Sequence, residues 1–535
     1  MKKNKKYILL VIFWLVLANL EFLVFKNLIY GHDIHFHIAR INGIVDSLRA
    51  GIFPALIYPN YLNGYGYANG IFYADIFLYI PAIISLFGLS VVNSYKVFMI
   101  IVNIGIFFSM KFAIKKVTKN DYVSLIIALI YLMSSYKISD MFLRAAVGEV
   151  IAFVFFPLFM LGLYSIFYGD KKDWYWFTIG IVGICFCHNL SLVMAFILVC
   201  FCFLLNIKKM FTNKERLLTL LKGGILGVFL SSCFLGPLLE AMKSDSFRYS
   251  NLVGSDMVVM RAANPLYSIV AIPSGTHPWQ PLGIGLIFVF LLVFLRKIIS
   301  KVQNKNDNKF SIDCLLLGLI FLVMATTIFP WNIFKNVLGI IQFPWRFYML
   351  VTILLLFGFA ILLTNYKKLN KKIFTFIVCV FMFGTWAVGF LYHYRFEHLD
   401  EYKPYYISNG EYVPADVDED FINARGEVIT SNNEELHIVF VRNGINLDIN
   451  YSNNEGNNTY IELPLVYYKG YVAKENNTKL TVAKGDNGLV RVYLPNKEGS
   501  IKVYYGFTNI RIISYSISIL SLVIFIYLIK KEKQK

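Results

Sequence analysis

Apolar runs of about 20 residues, set apart by short polar stretches, fill the first 392 positions of the chain and return once near its end. They fall at roughly 7–29, 93–114, 121–138, 150–168, 174–189, 190–207, 217–239, 281–299, 312–330, 347–365, 373–392 and 512–529. The pattern predicts an α-helical polytopic membrane protein of about twelve transmembrane helices. A further apolar stretch at 71–89, IFYADIFLYIPAIISLFGL, is interrupted by Asp75 and Pro81 and is expected to lie at the outer interface. Residues 393–508 change period: Val490, Val492 and Leu494, then Ile501, Val503 and Tyr505, recur every second position between Gly and Asn turns. That predicts a β-sandwich-like module before the last helix. The expected domains are a membrane domain over 1–392, whose outer loop 30–92 carries interfacial helices, the extracytoplasmic module over 393–508, and a final helix with a basic tail over 509–535.

Charge orients this arrangement. Segments 2–6, 111–119, 171–172, 208–216, 296–309, 367–372 and 530–535 hold 27 of the 51 Lys and Arg residues. They share one side only if 71–89 does not cross, which puts both termini in the cytoplasm by the positive-inside rule. The run after MKKNKK is too long for a cleaved signal peptide and is expected to stay as the first span. The module carries 17 acidic and 11 basic residues, so the net +18 of the chain is an orientation signal and not a nucleic-acid footprint. With 57% hydrophobic and 16% charged residues, against about a quarter charged in soluble domains, an ordinary soluble enzyme is excluded. The seven cysteines all lie in apolar runs, where small buried hydrophobes are expected and neither disulfides nor a metal site is.

Ionisable residues close to the apolar phase are the places to look for chemistry. The first outer loop opens GHDIHFHIARINGIVDSLRAG. On a helix starting near Asp33, Ile34, Ile38, Ile41, Val45 and Leu48 form one stripe, and Asp33, His37 and Arg40 gather on the next, with His35 and Asp46 turned elsewhere. Two readings follow. Asp33 is an N-cap and Arg40 an interfacial anchor, or Asp33 is a general base with His37 and Arg40 binding an anion. His32, His35 and His37 also raise the question of a metal, but His35 and His37 diverge on one helix, so a divalent cation is not favoured and metal ligands are left unknown. A second group, FLRAAVGEV, sets Arg144 and Glu149 outside the third span; they are not helical neighbours, and pair only if the loop folds inward, which would bring Glu149 to face Asp33. A third, IIQFPWRFYML, puts Arg346 before the tenth span, as part of an interfacial belt or as a lipid-phosphate ligand. Weaker candidates are His188 with Asn189, and His277 with Trp279.

A first span, a long outer loop opening on an acidic residue, interfacial helices, many further spans and a late outer β-module resemble the GT-C superfamily of membrane glycosyltransferases. GHDIHFHIARI, NGYGYANGIFYADIFLYIPA, RAAVGE and QFPWRF, with the later GEYVP and YYKGYVA, resemble its bacterial YfhO-like branch, which overlaps proteins labelled 6-pyruvoyl-tetrahydropterin synthase-related membrane proteins. The soluble part has no compact histidine triad to support the pterin label. The resemblance implies transfer of a sugar from a polyprenyl-phosphate donor to a cell-envelope polysaccharide or teichoic acid acceptor on the outer face. It assigns the family's first-loop base to Asp33. Many members have a second acid two positions later; His35 stands there instead, which weakens a metal role.

These expectations make Asp33 the catalytic base, with His35, His37, Arg40, Arg144, Glu149 and Arg346 around the substrate, no required cofactor and no nucleic-acid partner. Two other classes share the same features. A transporter or flippase of lipid-linked sugars would be favoured by discontinuous helices and repeated halves, and the sequence displays no half-to-half similarity. A non-catalytic membrane scaffold would use only the module to bind polysaccharide.

Overall fold

The computed structural model describes residues 2–249, 254, 256–270, 284–298, 304–394, 401–452 and 459–534. Helices occupy every apolar run, but not all at crossing length. Among the described residues six are long and apolar enough to cross a bilayer: Val91–Thr118, Asp121–Phe142, Val147–Phe167, Pro344–Asn365, Lys371–Leu391 and Asn509–Gln534. A seventh arises if Lys214–Leu230 and Ser232–Ser244, bent by 67° at Ser231, form one span. These helices make the chain a membrane protein.

Among the described residues, the other expected spans are shorter, broken or charged. The first run breaks at Asn19, whose side chain donates to the Leu15 carbonyl and accepts from Asn103, and its second piece ends at Val24. The run at 174–189 gives only the helix Tyr175–Cys185. Lys305–Met324 carries Asp307, Lys309 and Asp313, and Tyr168 donates to Asp313. Phe347–Asn365 is buried along almost its whole length and forms the centre of the helical body.

Within residues 30–92 the chain forms the helix Ile34–Arg49, with Ile34, Ile38, Ile41 and Val45 buried. The apolar stretch 71–89 is broken at Tyr73–Asp75 into Asn69–Phe72 and a helical segment Ile76–Leu86 too short to cross.

The module is built of two antiparallel sheets. Strands β1 (Thr430–Ser431), β4 (Tyr460–Val466), β8 (Leu489–Tyr493) and β7 (Val482–Lys484) make one, in the order β1-β4-β8-β7. Strands β2 (His437–Asn443), β3 (Asn446–Ser452), β9 (Glu498–Tyr505), β5 (Tyr471–Glu475) and β6 (Thr478–Leu480) make the other, in the order β2-β3-β9-β5-β6. Val490, Val492, Ile501 and Val503 are buried, the inward row that a period of two dictates. All seven cysteines are free thiols.

Candidate functional site

The segment Gly31–Asp33 is bonded to the loop between two membrane helices. His32 N–H donates to the Leu143 carbonyl at 3.0 Å and Asp33 N–H to that of Arg144 at 2.9 Å. A Cβ at Gly31 would meet Ala145 Cβ at 2.6 Å, so only glycine allows this approach. Asp33 occupies the N-cap of Ile34–Arg49, yet its side chain accepts no capping bond. It is half-buried and has no hydrogen-bond or ion-pair partner among the described residues. Burial pushes its pKa up, Arg144 and Arg346 draw it back, and the charge of Glu149 adds to the rise.

Arg144 and Glu149 do pair, although five residues apart. The helix Ser135–Phe142 has ended, Ala145 turns the chain at φ +51°, and Glu149 sits in the first turn of Val147–Phe167. Arg144 Nη1 donates to Glu149 Oε2 at 2.7 Å, to Asp140 Oδ1 at 2.6 Å and to Tyr136 at 3.3 Å. Every described hydrogen bond of this guanidinium leaves from Nη1, so Nη2 and Nε keep their donors. Glu149 is fully enclosed, and its oxygens are held by Arg144 and Tyr136. Arg346 binds the Ile341 carbonyl and Gln342 through Nη1, while its buried Nε, 3.5 Å from Glu149, has no hydrogen-bond partner. Glu149 thus holds two arginines beside Asp33.

Arg40 is engaged differently. Its Nε donates to Asp75 Oδ1 at 3.0 Å, Nη2 to the same carboxylate and to the Ala74 carbonyl, and Nη1 reaches His37 Nδ1 at 3.0 Å. The guanidinium lies 3.9 Å from the centroid of Tyr73, and Tyr58 donates to the other Asp75 oxygen. Burial works against its charge, but Asp75 outweighs that and the pKa rises. Because arginine only donates, His37 Nδ1 is the acceptor and the ring proton is on Nε2. Burial and Arg40 hold His37 neutral, well below its ordinary pKa. His35 meets the segment that leads into the module: its Nδ1 accepts from Lys403 N–H at 3.2 Å, and burial and Lys403 lower its pKa. His188 caps Asn189–Leu205 by accepting from Ser191 N–H, and its ring lies 6.2 Å from that of Tyr73. His277 and Trp279 lie outside the described residues. Among the described residues, no three His, Cys, Asp or Glu side chains are gathered as metal ligands.

Sequence reasoning missed Tyr136 and Asp140, Asp75 as the partner of Arg40, and Glu411. An acid such as Asp140 next to an apolar run is itself a signal. Glu411 lies in the GEYVP segment ahead of the module, and burial raises its pKa with Asp33 adding and Arg346 subtracting.

No family model matches the chain. An uncharacterized protein of Lactococcus lactis subsp. cremoris is 25% identical over an alignment of 596 residues, covering 95% of this chain and 92% of its own length. Among solved structures, the cryo-EM structure of the mycobacterial arabinofuranosyltransferase AftD aligns with a TM-score of 0.45 at 11% identity, over 73% of this chain. The chain spans 27% of that structure's length.

Proposed function

We propose that the protein is a membrane glycosyltransferase of the GT-C type, moving a sugar from a polyprenyl-phosphate donor to a cell-envelope glycopolymer at the extracytoplasmic face, with both chain termini cytoplasmic. One observation carries the reading: a half-buried carboxylate without a partner, Asp33, stands beside two arginines that keep guanidinium donors uncommitted. The first suits an attacking hydroxyl and the second a departing phosphate. Asp33 takes the proton of the acceptor hydroxyl. The oxygen bonds to the anomeric carbon as the bond from that carbon to the phosphate oxygen breaks, and the electron pair leaves on the lipid phosphate. Arg144 and Arg346 receive that charge, held in place by Glu149. A single displacement of this kind inverts the anomeric centre. The raised pKa of Asp33 makes it a stronger base than an exposed carboxylate. Arg40 supports the site from below through Asp75 and keeps His37 in one tautomer.

The test is turnover of labelled polyprenyl-phosphate sugars by the purified protein in liposomes. Asp33→Asn is expected to lose about 10²-fold or more, the scale of general-base catalysis. Retained wild-type turnover sinks the assignment of Asp33. Movement of intact donor across the bilayer without its consumption would identify a transporter instead.

A further inference from the structure

Glu411 comes from the opposite end of the chain, and its placement is firmly built. Its carbonyl accepts from Tyr249 N–H at 2.9 Å, and the next N–H, of Tyr412, donates to the Tyr67 hydroxyl at 3.3 Å. The Tyr412 ring stacks on Phe72 at 4.9 Å and 1°, and on Tyr67 at 6.0 Å. Phe72 precedes Tyr73, which carries the Arg40 guanidinium on its ring, so the segment 410–414 is laid against the loop that frames the site. Backbone pairing of Phe247 with Pro414 and the Val413 carbonyl accepting from Arg248 N–H close the other side. Within this frame the Glu411 side chain is half-buried and makes no hydrogen bond or ion pair among the described residues, while Arg248, on the paired segment, is taken by Glu419. The charged groups that act on it are Asp33 and Arg346.

We infer that Glu411 is a specificity-determining residue of the acceptor side, contributed by the lead-in to the β-module and accepting hydrogen bonds from acceptor sugar hydroxyls adjacent to the one that Asp33 deprotonates. The inference rests on the transferase reading. A polyol fits the two carboxylates, because vicinal hydroxyls carry their donors on two separate oxygens, whereas both donors of water leave from one. Glu411 should therefore favour sugar over water as the acceptor. A carboxylate on backbone fixed by hydrogen bonds and by the stacked ring of the next residue, yet itself left without a partner, is organised for a ligand and not for the fold.

Two measurements on the full-length protein in liposomes decide it. In the first, dicyclohexylcarbodiimide, which reacts with protonated carboxyls in apolar surroundings, is applied across pH and the modified peptides are quantified by mass spectrometry. Labelling of Glu411 is expected to drop at least twofold at a fixed mildly acidic pH in Asp33→Asn, because removing the neighbouring charge lets Glu411 ionise earlier. Unchanged labelling would mean that the two carboxyls do not share a site and would overturn the inference. In the second, polyprenyl-phosphate sugars are supplied with a panel of methyl glycosides, and glycoside product is compared with free sugar released into water. Glu411→Gln is expected to lower that ratio about tenfold or more, the size of one charge-assisted hydrogen bond, with partial rescue by Glu411→Asp. A ratio equal to wild type overturns the inference. If the wild type consumes no donor at all, the transferase reading fails by itself, and the labelling measurement still decides whether Glu411 and Asp33 face one cavity.

Discussion

Replacing Asp75 by Asn separates two roles for Arg40, a group locked into the protein or one available to an anionic ligand. The substitution keeps size and shape but removes the charge facing a guanidinium whose side chain is 3% exposed. At the 3.0 Å separation of Arg40 Nε and Asp75 Oδ1, with an effective dielectric of about 20, the attraction is about 5 kcal/mol. The Asn oxygen still accepts one bond, and the Ala74 carbonyl and the Tyr73 face still hold the cation, so the net loss is expected near 3 kcal/mol, at the lower end for an orphaned buried charge. The double variant Arg40→Met/Asp75→Asn removes both charges and should recover about 2 kcal/mol of that loss. Pulse proteolysis of the detergent-solubilised protein across a urea series reads both values. A loss under about 1 kcal/mol in Asp75→Asn, accompanied by a fall in donor turnover, would refute the locked pair and return Arg40 to the ligand.

Three further outcomes are expected. Gly148→Ala would place a Cβ 2.5 Å from the Cys187 carbonyl and 2.7 Å from the Tyr73 hydroxyl, so it should destabilise by about 1–3 kcal/mol and reduce turnover; wild-type stability would mean that the turn at Cys187 and the Tyr73 side chain yield freely. His32 is held down to about 4 by burial, Arg144 and Arg261, so the stability gained by keeping it neutral is complete above its ordinary 6.5 and drains as pH falls towards 4. His32→Gln should flatten the melting curve in that window, and an unchanged slope would place the effect elsewhere. As the proposed base, Asp33 would work ionised with a raised pKa, so the acidic limb of kcat/KM should lie above the usual carboxylate range; Glu149→Gln removes a charge that raises it and should move that limb to lower pH.

What was legible in the sequence is what depends on local period. The stripe Ile34, Ile38, Ile41, Val45 and the alternation through Val490 and Ile501 reappear as buried rows because helix and strand geometry alone set which positions share a face. Span counting overreached where polar groups interrupt apolar composition, as Asn19 does by bonding Leu15 and Asn103 inside a single run. The Arg144–Glu149 pair defied helical spacing because Ala145 leaves the helix with a positive φ, a conformation that nothing in RAAVGE announces. Asp75, 35 residues from Arg40, and Glu411, near the far end of the chain, were invisible as site members. Such pairings are made by tertiary packing, and one sequence carries no register for them.

The bonds from His32 and Asp33 to residues 143 and 144, and the seating of Tyr412 on Phe72, also set a timetable. Between Asp33 and Glu411 the ribosome must add 378 residues, which takes roughly 20–75 s at about 5–20 residues per second. During that interval the Phe72 ring stands without the Tyr412 ring that later stacks on it. A chain arrested before residue 411 would have the residues that bond 32 and 33 to 143 and 144, and would lack the segment that seats Tyr412 on Phe72.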